Sequence, residues 1–120
     1  DHEDMQILYR VALRRIPDVE LTAQAASAEE ALKQMEKVVP DLVIIDISLP
    51  GISGIDLTRM LRNRYPGMKL LIVTGHDRNR YYDAAIEAGA DELIVKGDTR
   101  RIITTVVQLL GLSSKSVQIQ

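Results

Sequence analysis

Short runs of wholly apolar residues restrict the fold of this chain more than any other feature of its sequence. Three such runs, at residues 42–45, 71–73 and 93–95, consist of leucine, isoleucine and valine alone. Each is short for a buried helix, and its β-branched residues favour a strand. A strand that is apolar at every position must be covered on both faces, which is typical of a parallel sheet. The three runs therefore predict buried strands of one parallel sheet.

Helical patterns separate these predicted strands. Apolar residues recur at helical spacing in five segments, 5–16, 28–39, 54–65, 80–88 and 99–110. Ser27 and Glu30 form a capping-box pattern at the start of the second segment, Pro40 stops it, and Gly89 ends the fourth. Residues 19–25 alternate apolar and polar side chains, as a half-buried strand does. Because strands alternate with helices, we predict an α/β fold, a doubly wound parallel sheet with helices on both faces.

The overall composition excludes several classes of function. The chain has 120 residues, the size of one domain, and its net charge is only −2, so we expect no direct binding of nucleic acid by this domain. It has no cysteine, which excludes disulfide bonds and thiol chemistry and fits a cytoplasmic location. No apolar run approaches the length that spans a membrane, so we expect no membrane partner.

A polar residue follows each of the three apolar runs: Asp46, Thr74 and Lys96. In an open parallel sheet, ligands bind at the carboxyl ends of the strands. A carboxylate, a hydroxyl and an ammonium group would then converge on one edge of the sheet. Each residue alone has an ordinary structural explanation, since an Asp after a strand is often a turn residue. All three at the ends of successive buried strands favour a functional site.

Several segments of the chain resemble the CheY-like receiver domains of two-component response regulators. They are residues 41–54, 73–75, 88–90 and 94–96. They stand in the order of that family and close to its spacing, and the resemblance extends from Asp1 to about Leu110. The combination of residues 1–3 with residues 46–48 looks most like the NarL/FixJ group. The resemblance implies the same three-layer α/β architecture.

The resemblance also implies a phosphoprotein that switches in signal transduction, rather than an enzyme. Asp46 would accept a phosphoryl group from the histidine of a sensor kinase or from a small acyl phosphate. Lys96 would contact a phosphoryl oxygen, and Thr74 would move inward to hydrogen-bond the acyl phosphate, which would couple phosphorylation to a shift of nearby loops. The domain would assist its own phosphoryl transfer and dephosphorylation. The shifted surface would act on an output domain or a partner protein.

A divalent cation, usually Mg²⁺, belongs to the site that the resemblance implies. The cation would screen the phosphoryl oxygens, because a carboxylate otherwise approaches a phosphoryl dianion at a high electrostatic cost. In this chain the metal ligands would be Asp46, Asp1 and the backbone carbonyl of Ser48.

The resemblance fails at the start of the chain. Receivers normally begin with a hydrophobic strand that ends in two acids, whereas this chain begins at what looks like the second acid, Asp1. We therefore expect the first strand to be absent from its usual N-terminal place. The predicted organisation is a receiver domain at residues 1–112 and a linker or tail at residues 113–120.

Two interpretations of the tail remain open. The first is a plain linker toward an effector domain. The second is a strand that fills the vacant place, because residues 116–120 alternate apolar and polar side chains, although Gln118 and Gln120 argue against a central buried strand. A sheet that lacks a strand exposes pairing edges, so we also expect a homodimer formed by strand exchange.

Two further departures favour an alternative function, a pseudo-receiver that binds partner proteins and is never phosphorylated. Leu93 stands where many receivers carry an aromatic residue that rotates with the Thr, and Gly97 stands where a proline commonly follows the Lys. The presence of Asp46, Thr74 and Lys96 opposes this alternative. Metal-dependent phosphoryl labelling would separate the two functions.

Two other classes of protein fit the sequence less well. Haloacid-dehalogenase-like phosphatases need a second acid two residues after the nucleophilic Asp, where this chain has Ser48. A flavodoxin-like cofactor site needs a glycine- or hydroxyl-rich phosphate loop before a helix, and the sequence has none at the expected place.

Overall fold

A computed structural model describes residues 19–24, 28–37, 39–46, 54–75, 78–95, 97–110 and 115–119. In chain order these residues form β1 (Val19–Gln24), α1 (Ala28–Met35), β2 (Leu42–Asp46), α2 (Gly54–Arg64), β3 (Lys69–Thr74), α3 (Arg78–Ala88), β4 (Glu92–Val95), α4 (Thr99–Leu110) and β5 (Lys115–Ile119). One helix therefore separates each strand from the next along the chain, as the predicted βαβ pattern requires.

The strands form a single sheet in the order β1-β5-β2-β3-β4, and every neighbouring pair is parallel. Strands β2 and β3 pair over the whole of β2, from Leu42 level with Lys69 to Asp46 level with Val73. Helices cover both faces of this sheet, so the predicted doubly wound α/β fold is confirmed.

Strand β5 lies in the interior of the sheet, between β1 and β2. It is parallel to both neighbours, with Ser116 level with Glu20 and Val117 level with Leu42. The second of the two interpretations of the tail, a strand at residues 116–120 that fills the vacant place, assigned this position. The first interpretation was a plain linker. The predicted domain boundary at residue 112 stays a prediction, and the expected absence of a strand before Asp1 falls on residues outside the described ranges.

Successive residues of an inner strand face opposite sides of the sheet, and this alternation divides the core in two. On one side Val43 and Ile45 pack with apolar residues of α1, α2 and α3. On the other side Leu42 and Ile44 pack against α4. All four side chains are 0% exposed. Because burial of such a side chain stabilises the fold by about 1.5–3 kcal/mol, β2 is held firmly from both faces.

The ends of the helices follow local chain chemistry. Helix α1 ends at Met35, earlier than the predicted Val39, because the next turn tightens: the Lys37 N–H donates to the Gln34 carbonyl at 3.0 Å. Helix α3 ends before Gly89, whose φ of 113° is one that residues with a side chain rarely adopt. Among the described helices, none is both long and apolar enough to cross a membrane.

Groups of the chain itself occupy part of the outer edge of β4. The Leu93 N–H donates a hydrogen bond to the Glu92 carboxylate at 2.9 Å. The Asp98 N–H donates to the Val95 carbonyl at 3.4 Å. Edge groups without partners are templates for pairing with another strand, and these contacts engage two of them.

Candidate functional site

The carboxyl edge of the sheet holds the polar residues that the sequence singled out, as far as the structure describes them. Asp46 is the last residue of β2, and Thr74 is the last residue of β3. Asp46 is level with Val73, and Thr74 is level with Val95, the last residue of β4. Neighbouring strands lie about 4.8 Å apart, so the backbones of Asp46 and Thr74 are close together on adjacent strands.

The preceding residues explain why the two polar residues stand at this edge. Residues 42–45 of β2 and 70–73 of β3 are almost completely buried between the two layers of helices. In each strand, the polar residue that follows these buried apolar residues is the last residue of the strand. The burial therefore fixes the depth at which Asp46 and Thr74 begin the loops at the carboxyl edge.

Thr74 differs from a usual loop threonine because it is 0% exposed. Thr58 is the other buried polar residue among those described, and its hydroxyl donates to the Gly54 carbonyl at 2.7 Å within α2. Thr58 thus serves its own helix, as helical threonines often do. Thr74 instead ends a strand beside the strand that ends in Asp46, where a hydroxyl can serve a ligand at the edge.

Lys96 lies outside the described residues, but the residues directly before and after it in the chain are described. Val95 ends β4 at the carboxyl edge, and Gly97 follows with φ of 99°, in the left-handed region that favours glycine. Asp98 then accepts a hydrogen bond from the Arg101 N–H at 3.3 Å and caps the start of α4. The structure therefore describes the end of β4 before Lys96 and the start of α4 after it.

The predicted metal ligands are described only in part. Asp46 stands at the expected strand end, whereas Asp1 and Ser48 lie outside the described residues. Within the described ranges no group of three or more His, Cys, Asp or Glu side chains is placed to hold a metal ion. The ligand set of Asp46, Asp1 and Ser48 thus stays a prediction.

A second cluster of polar groups lies at the opposite, amino edge of the sheet and centres on Arg62 in the last turn of α2. The Arg62 guanidinium donates to the backbone carbonyls of Gly89 at 2.9 Å, Pro66 at 2.8 Å and Met68 at 2.7 Å. It also pairs with the Asp91 carboxylate at 2.9 Å. These contacts join α2 to the turns that precede β3 and β4. We call the five residues the Arg62 cluster.

The Asp91 carboxylate connects the Arg62 cluster to the sheet. One of its oxygens accepts a hydrogen bond from the Leu70 N–H at 2.8 Å, and the Asp91 N–H donates to the Leu70 carbonyl at 2.8 Å. The sequence analysis did not identify this cluster, because Arg62 meets Gly89 and Asp91 across 27 and 29 residues of chain. The sequence feature nearest to this cluster was the turn at residues 88–90. The sequence analysis interpreted it only as a helix end at Gly89 and as part of the family resemblance.

A small pocket of about 160 Å³ also lies at the amino edge, between the starts of β2 and β3 and the end of α4. Its lining includes Asp41, Gly67, Lys69, Leu109 and Leu110. The strands separate this pocket from Asp46 and Thr74, which end β2 and β3 at the other edge. It is therefore not the site that the sequence predicts.

Comparison with known proteins agrees with the geometry of the carboxyl edge. Residues 1–108 match the family described as "Response regulator receiver domain". The chain is 33% identical over 100 residues to the transcriptional regulatory protein DegU of Brevibacillus brevis, which covers 80% of this chain and 41% of DegU. It is 32% identical over 97 residues to the response regulator GacA of Pseudomonas viridiflava, covering 81% of this chain and 45% of GacA.

A solved structure gives the same result for the fold. A two-component response regulator of the LuxR family from Aurantimonas sp. SI85-9A1 superposes with a TM-score of 0.83 at 31% identity, over 97% of this chain and 83% of that one. The resemblance to receiver domains is therefore confirmed. The chain spans less than half the length of the two curated relatives, at 41% and 45%.

Proposed function

Because this chain belongs to the family of response regulator receiver domains, we propose that it accepts a phosphoryl group from a sensor histidine kinase on Asp46 and so switches a surface for an output domain or a partner protein. The observation that carries this proposal is the common edge at which β2 ends in Asp46 and β3 ends in the buried Thr74. Receiver domains are signalling domains, which sets the proposal apart from turnover of a metabolite.

In the proposed reaction, a carboxylate oxygen of Asp46 attacks the phosphorus atom of a phosphohistidine. The new oxygen–phosphorus bond forms as the phosphorus–nitrogen bond breaks, and the histidine nitrogen leaves with that electron pair and takes up a proton. The product is an acyl phosphate, whose phosphoryl group carries roughly 1.5 to 2 negative charges in place of the single charge of the carboxylate. Attack by water on the same phosphorus later restores the carboxylate and releases inorganic phosphate.

Lys96 and Thr74 respond to the new charge in this proposal. The ammonium group of Lys96 is a point charge suited to a phosphoryl oxygen, and in the sequence Lys96 directly follows Val95, the last residue of β4. The hydroxyl of Thr74 donates a hydrogen bond to the acyl phosphate and draws the end of β3 with it. Since α3 begins at Arg78, a displacement of Thr74 reaches that helix through a short connection.

We include Mg²⁺ in the proposed site because the predicted donors fit its chemistry. Mg²⁺ prefers oxygen ligands, and the predicted set of Asp46, Asp1 and the Ser48 carbonyl consists of oxygens alone. When bound, the cation screens the negative charge between the carboxylate and the phosphoryl group. The proposal places this exchange in the cytoplasm, where response regulators typically meet their kinases.

The relatives support transcription as the process that the switch controls. DegU is named a transcriptional regulatory protein and spans more than twice the length that this chain matches. We infer that this domain acts with an output domain or partner of that kind, which supplies the contact with DNA that the near-neutral charge of the domain does not favour.

The proposal is tested by intact mass after incubation with a small acyl-phosphate donor, with and without Mg²⁺. We expect one phosphoryl adduct that needs Mg²⁺ and is absent from Asp46→Asn. Asp56→Asn is a matched control, because Asp56 is an exposed carboxylate in the first turn of α2 and should leave the adduct unchanged. An adduct that survives in Asp46→Asn would place the acceptor elsewhere.

The alternative of a pseudo-receiver retains one observation in its favour. Leu93 is 0% exposed in the core, so this aliphatic side chain fills the space that a rotating aromatic residue would need. A folded chain that forms no adduct at any Mg²⁺ concentration would support this alternative and reject Asp46 as an acceptor.

A further inference from the structure

Strand β4 depends on one neighbouring strand for its place in the sheet. It stands at the edge and pairs with β3, from Leu71 level with Glu92 to Thr74 level with Val95. Strand β2, by contrast, lies in the interior of the sheet and has a neighbour on each side. The ladder of β4 is thus both short and one-sided.

The side chains of β4 give little help in fixing its register. Leu93, Ile94 and Val95 are all apolar, and the first two are at most 1% exposed. After a slip of one residue along β3, an apolar side chain would still face each layer of helices. A strand whose side chains alternate resists such a slip, because its polar face would become buried. The register of β4 therefore needs contacts from outside the strand.

The Asp91 carboxylate supplies such a contact at the amino edge. The Asp91 N–H donates to the Leu70 carbonyl at 2.8 Å, and the Leu70 N–H donates to Asp91 Oδ2 at 2.8 Å. Both residues stand directly before the first level pair of β3 and β4, Leu71 with Glu92. A side-chain oxygen thus acts as a ladder acceptor and extends the pairing by one residue in each strand.

Arg62 holds the same carboxylate oxygen from the side of α2. Its Nη2 lies 2.9 Å from Asp91 Oδ2, the oxygen that accepts from the Leu70 N–H. The guanidinium also donates to the Met68 carbonyl at 2.7 Å and to the Gly89 carbonyl at 2.9 Å, so it binds the chain ahead of both strands. Charge-assisted hydrogen bonds of this length are among the stronger ones in proteins. The start of β4 is therefore fixed relative to the start of β3.

A strand that is fixed at one end carries its register to the other end. Val95, which ends β4 level with Thr74, comes four residues after Asp91. A slip of one residue would move this end by about 3.3 Å and turn each side chain of β4 to the opposite face of the sheet. Lys96 directly follows Val95 in the sequence. The contacts of Asp91 thus set where the chain reaches Lys96.

We propose that Asp91 and Arg62 are positioning residues for phosphoryl transfer to Asp46. From the amino edge they hold β4 in the register that brings Lys96 to the phosphoryl group at the carboxyl edge. They act through the strand and not on the reacting atoms. The inference rests on the proposed function, and it extends that function to two residues at the opposite edge of the sheet.

A double-mutant cycle with Lys96 tests the inference. The rate of phosphoryl adduct formation is measured by intact mass with an acyl-phosphate donor and Mg²⁺, on samples shown to be folded by circular dichroism. Asp91→Ala removes the acceptor of the Leu70 N–H, so we expect the rate to fall by roughly tenfold or more. In a Lys96→Ala background the same substitution should cause no further fall, because the group that it displaces is already absent.

Two results of the cycle would overturn the inference. The first is an unchanged rate in Asp91→Ala. The second is an equal fall with and without Lys96, since a general loss of structure slows both backgrounds alike. Arg62→Lys keeps the charge but not the planar fork of donors, so it gives the cycle a second variant if Asp91→Ala does not fold. Its fall in rate should likewise need Lys96, and a fall that is independent of Lys96 would count against the inference in the same way.

Two further substitutions separate register from charge. Asp91→Asn keeps a side-chain oxygen for the Leu70 N–H, so we expect it to retain most of the wild-type rate. Asp56→Ala is the matched control for loss of a carboxylate, because Asp56 pairs with Arg59 on the exposed surface of α2, and it should leave the rate unchanged. A rate as low in Asp91→Asn as in Asp91→Ala would assign the effect to the charge and would overturn the inference.

The register itself is measured by NMR without phosphorylation. Nuclear Overhauser contacts between the level residues of β3 and β4, 72 with 93 and 74 with 95, report on it directly. We expect these contacts in the wild type and in Asp91→Asn, and their loss or displacement in Asp91→Ala. A wild type that forms no adduct would reject the proposed function, and this measurement would still test the inference. Unchanged contacts in Asp91→Ala would show that Asp91 does not set the register and would overturn it.

Discussion

The two edges of the sheet hold polar residues in different ways. At the amino edge, the Arg62 cluster binds the turns before β3 and β4 to the end of α2 with hydrogen bonds of 2.7–2.9 Å. At the carboxyl edge, Asp46 and Thr74 end their strands and lead into loops. Within the described residues, side-chain contacts tie the turns of the amino edge together, whereas the carboxyl edge presents the polar strand ends on which the proposed function rests.

The physical reason lies in what each edge requires. The amino edge brings together backbone carbonyls from separate turns, and a partly buried carbonyl without a donor is costly. Arg62 donates to three backbone carbonyls with one rigid planar group, and its bonds to the carbonyls of Gly89 and Met68 are partly buried. Under the proposed function, the carboxyl edge instead needs groups that bind a phosphoryl group and then change partners. A cluster as rigid as that of Arg62 would prevent such a change.

The largest expected effect comes from Arg62→Ala, which removes the centre of the amino edge. The side chain is 26% exposed, so loss of its contacts removes the Arg62 donor from two partly buried carbonyls and the ion-pair partner from the Asp91 carboxylate, which keeps its bond from the Leu70 N–H. We expect the free energy of unfolding to fall by about 2–3 kcal/mol, measured by urea denaturation. Arg59→Ala is the matched control on the same helix: its pair with Asp56 is 55% and 62% exposed, so we expect a loss of at most about 0.5 kcal/mol. Equal losses in the two variants would remove the distinction between the edges.

Two glycines allow an intermediate test, one at each edge. Both have positive φ, 113° for Gly89 and 99° for Gly97, but a Cβ at Gly89 would lie 2.6 Å from the Arg62 side chain, whereas a Cβ at Gly97 meets nothing within 4 Å. We expect Gly89→Ala to destabilise the fold by about 2 kcal/mol and Gly97→Ala by about 1 kcal/mol, the latter from backbone strain alone. The difference between them should shrink only in part in an Arg62→Ala background, because Ala removes the Arg62 Cγ at 2.6 Å but keeps the Cβ at 2.8 Å. A difference that does not shrink at all would mean that the Arg62 side chain beyond Cβ adds nothing to the clash.

The smallest effect on stability is expected at the carboxyl edge, from Thr74→Ser. This variant keeps the hydroxyl and loses one buried methyl group, so we expect a loss of about 1 kcal/mol or less. Thr74→Val keeps the shape and loses the hydroxyl. Hydrogen exchange of residues 75–80, compared before and after treatment with the acyl-phosphate donor, should change in the wild type and in Thr74→Ser but not in Thr74→Val. An unchanged response in Thr74→Val would exclude the hydroxyl as the coupling group.

The sequence predicted the buried strands well because a strand covered on both faces must be apolar at every position. Residues 42–45 and 71–73 lie in the inner strands β2 and β3, and residues 93–95 lie in β4 at the edge of the sheet. The local pattern was sufficient there because burial on both faces leaves few alternatives. Prediction of the residues that meet at this edge followed from the parallel arrangement of the strands.

The features that the sequence did not specify depend on groups that are distant in the chain or on the backbone. Arg62 looks like any basic residue in the last turn of a helix, and its carbonyl partners carry no side-chain signal. Strand β5 was only a second interpretation, because Gln118 suggested a solvated segment, whereas the pairing of residues 115–119 uses backbone groups that every sequence possesses. The proposed roles of Lys96, Asp1 and Ser48 rest on the family resemblance and await the labelling experiment.

The contacts along the outer edge of β4 bear on how the protein behaves at high concentration. The Glu92 carboxylate and the Asp98 N–H engage backbone groups that would otherwise start a new ladder on that side. Each added molecule would have to break both contacts before it could stack onto β4, so fibre growth from this side is unfavourable. Polymerisation at the outer edge of β4 is thus opposed by contacts that Glu92 and Asp98 make within the chain itself.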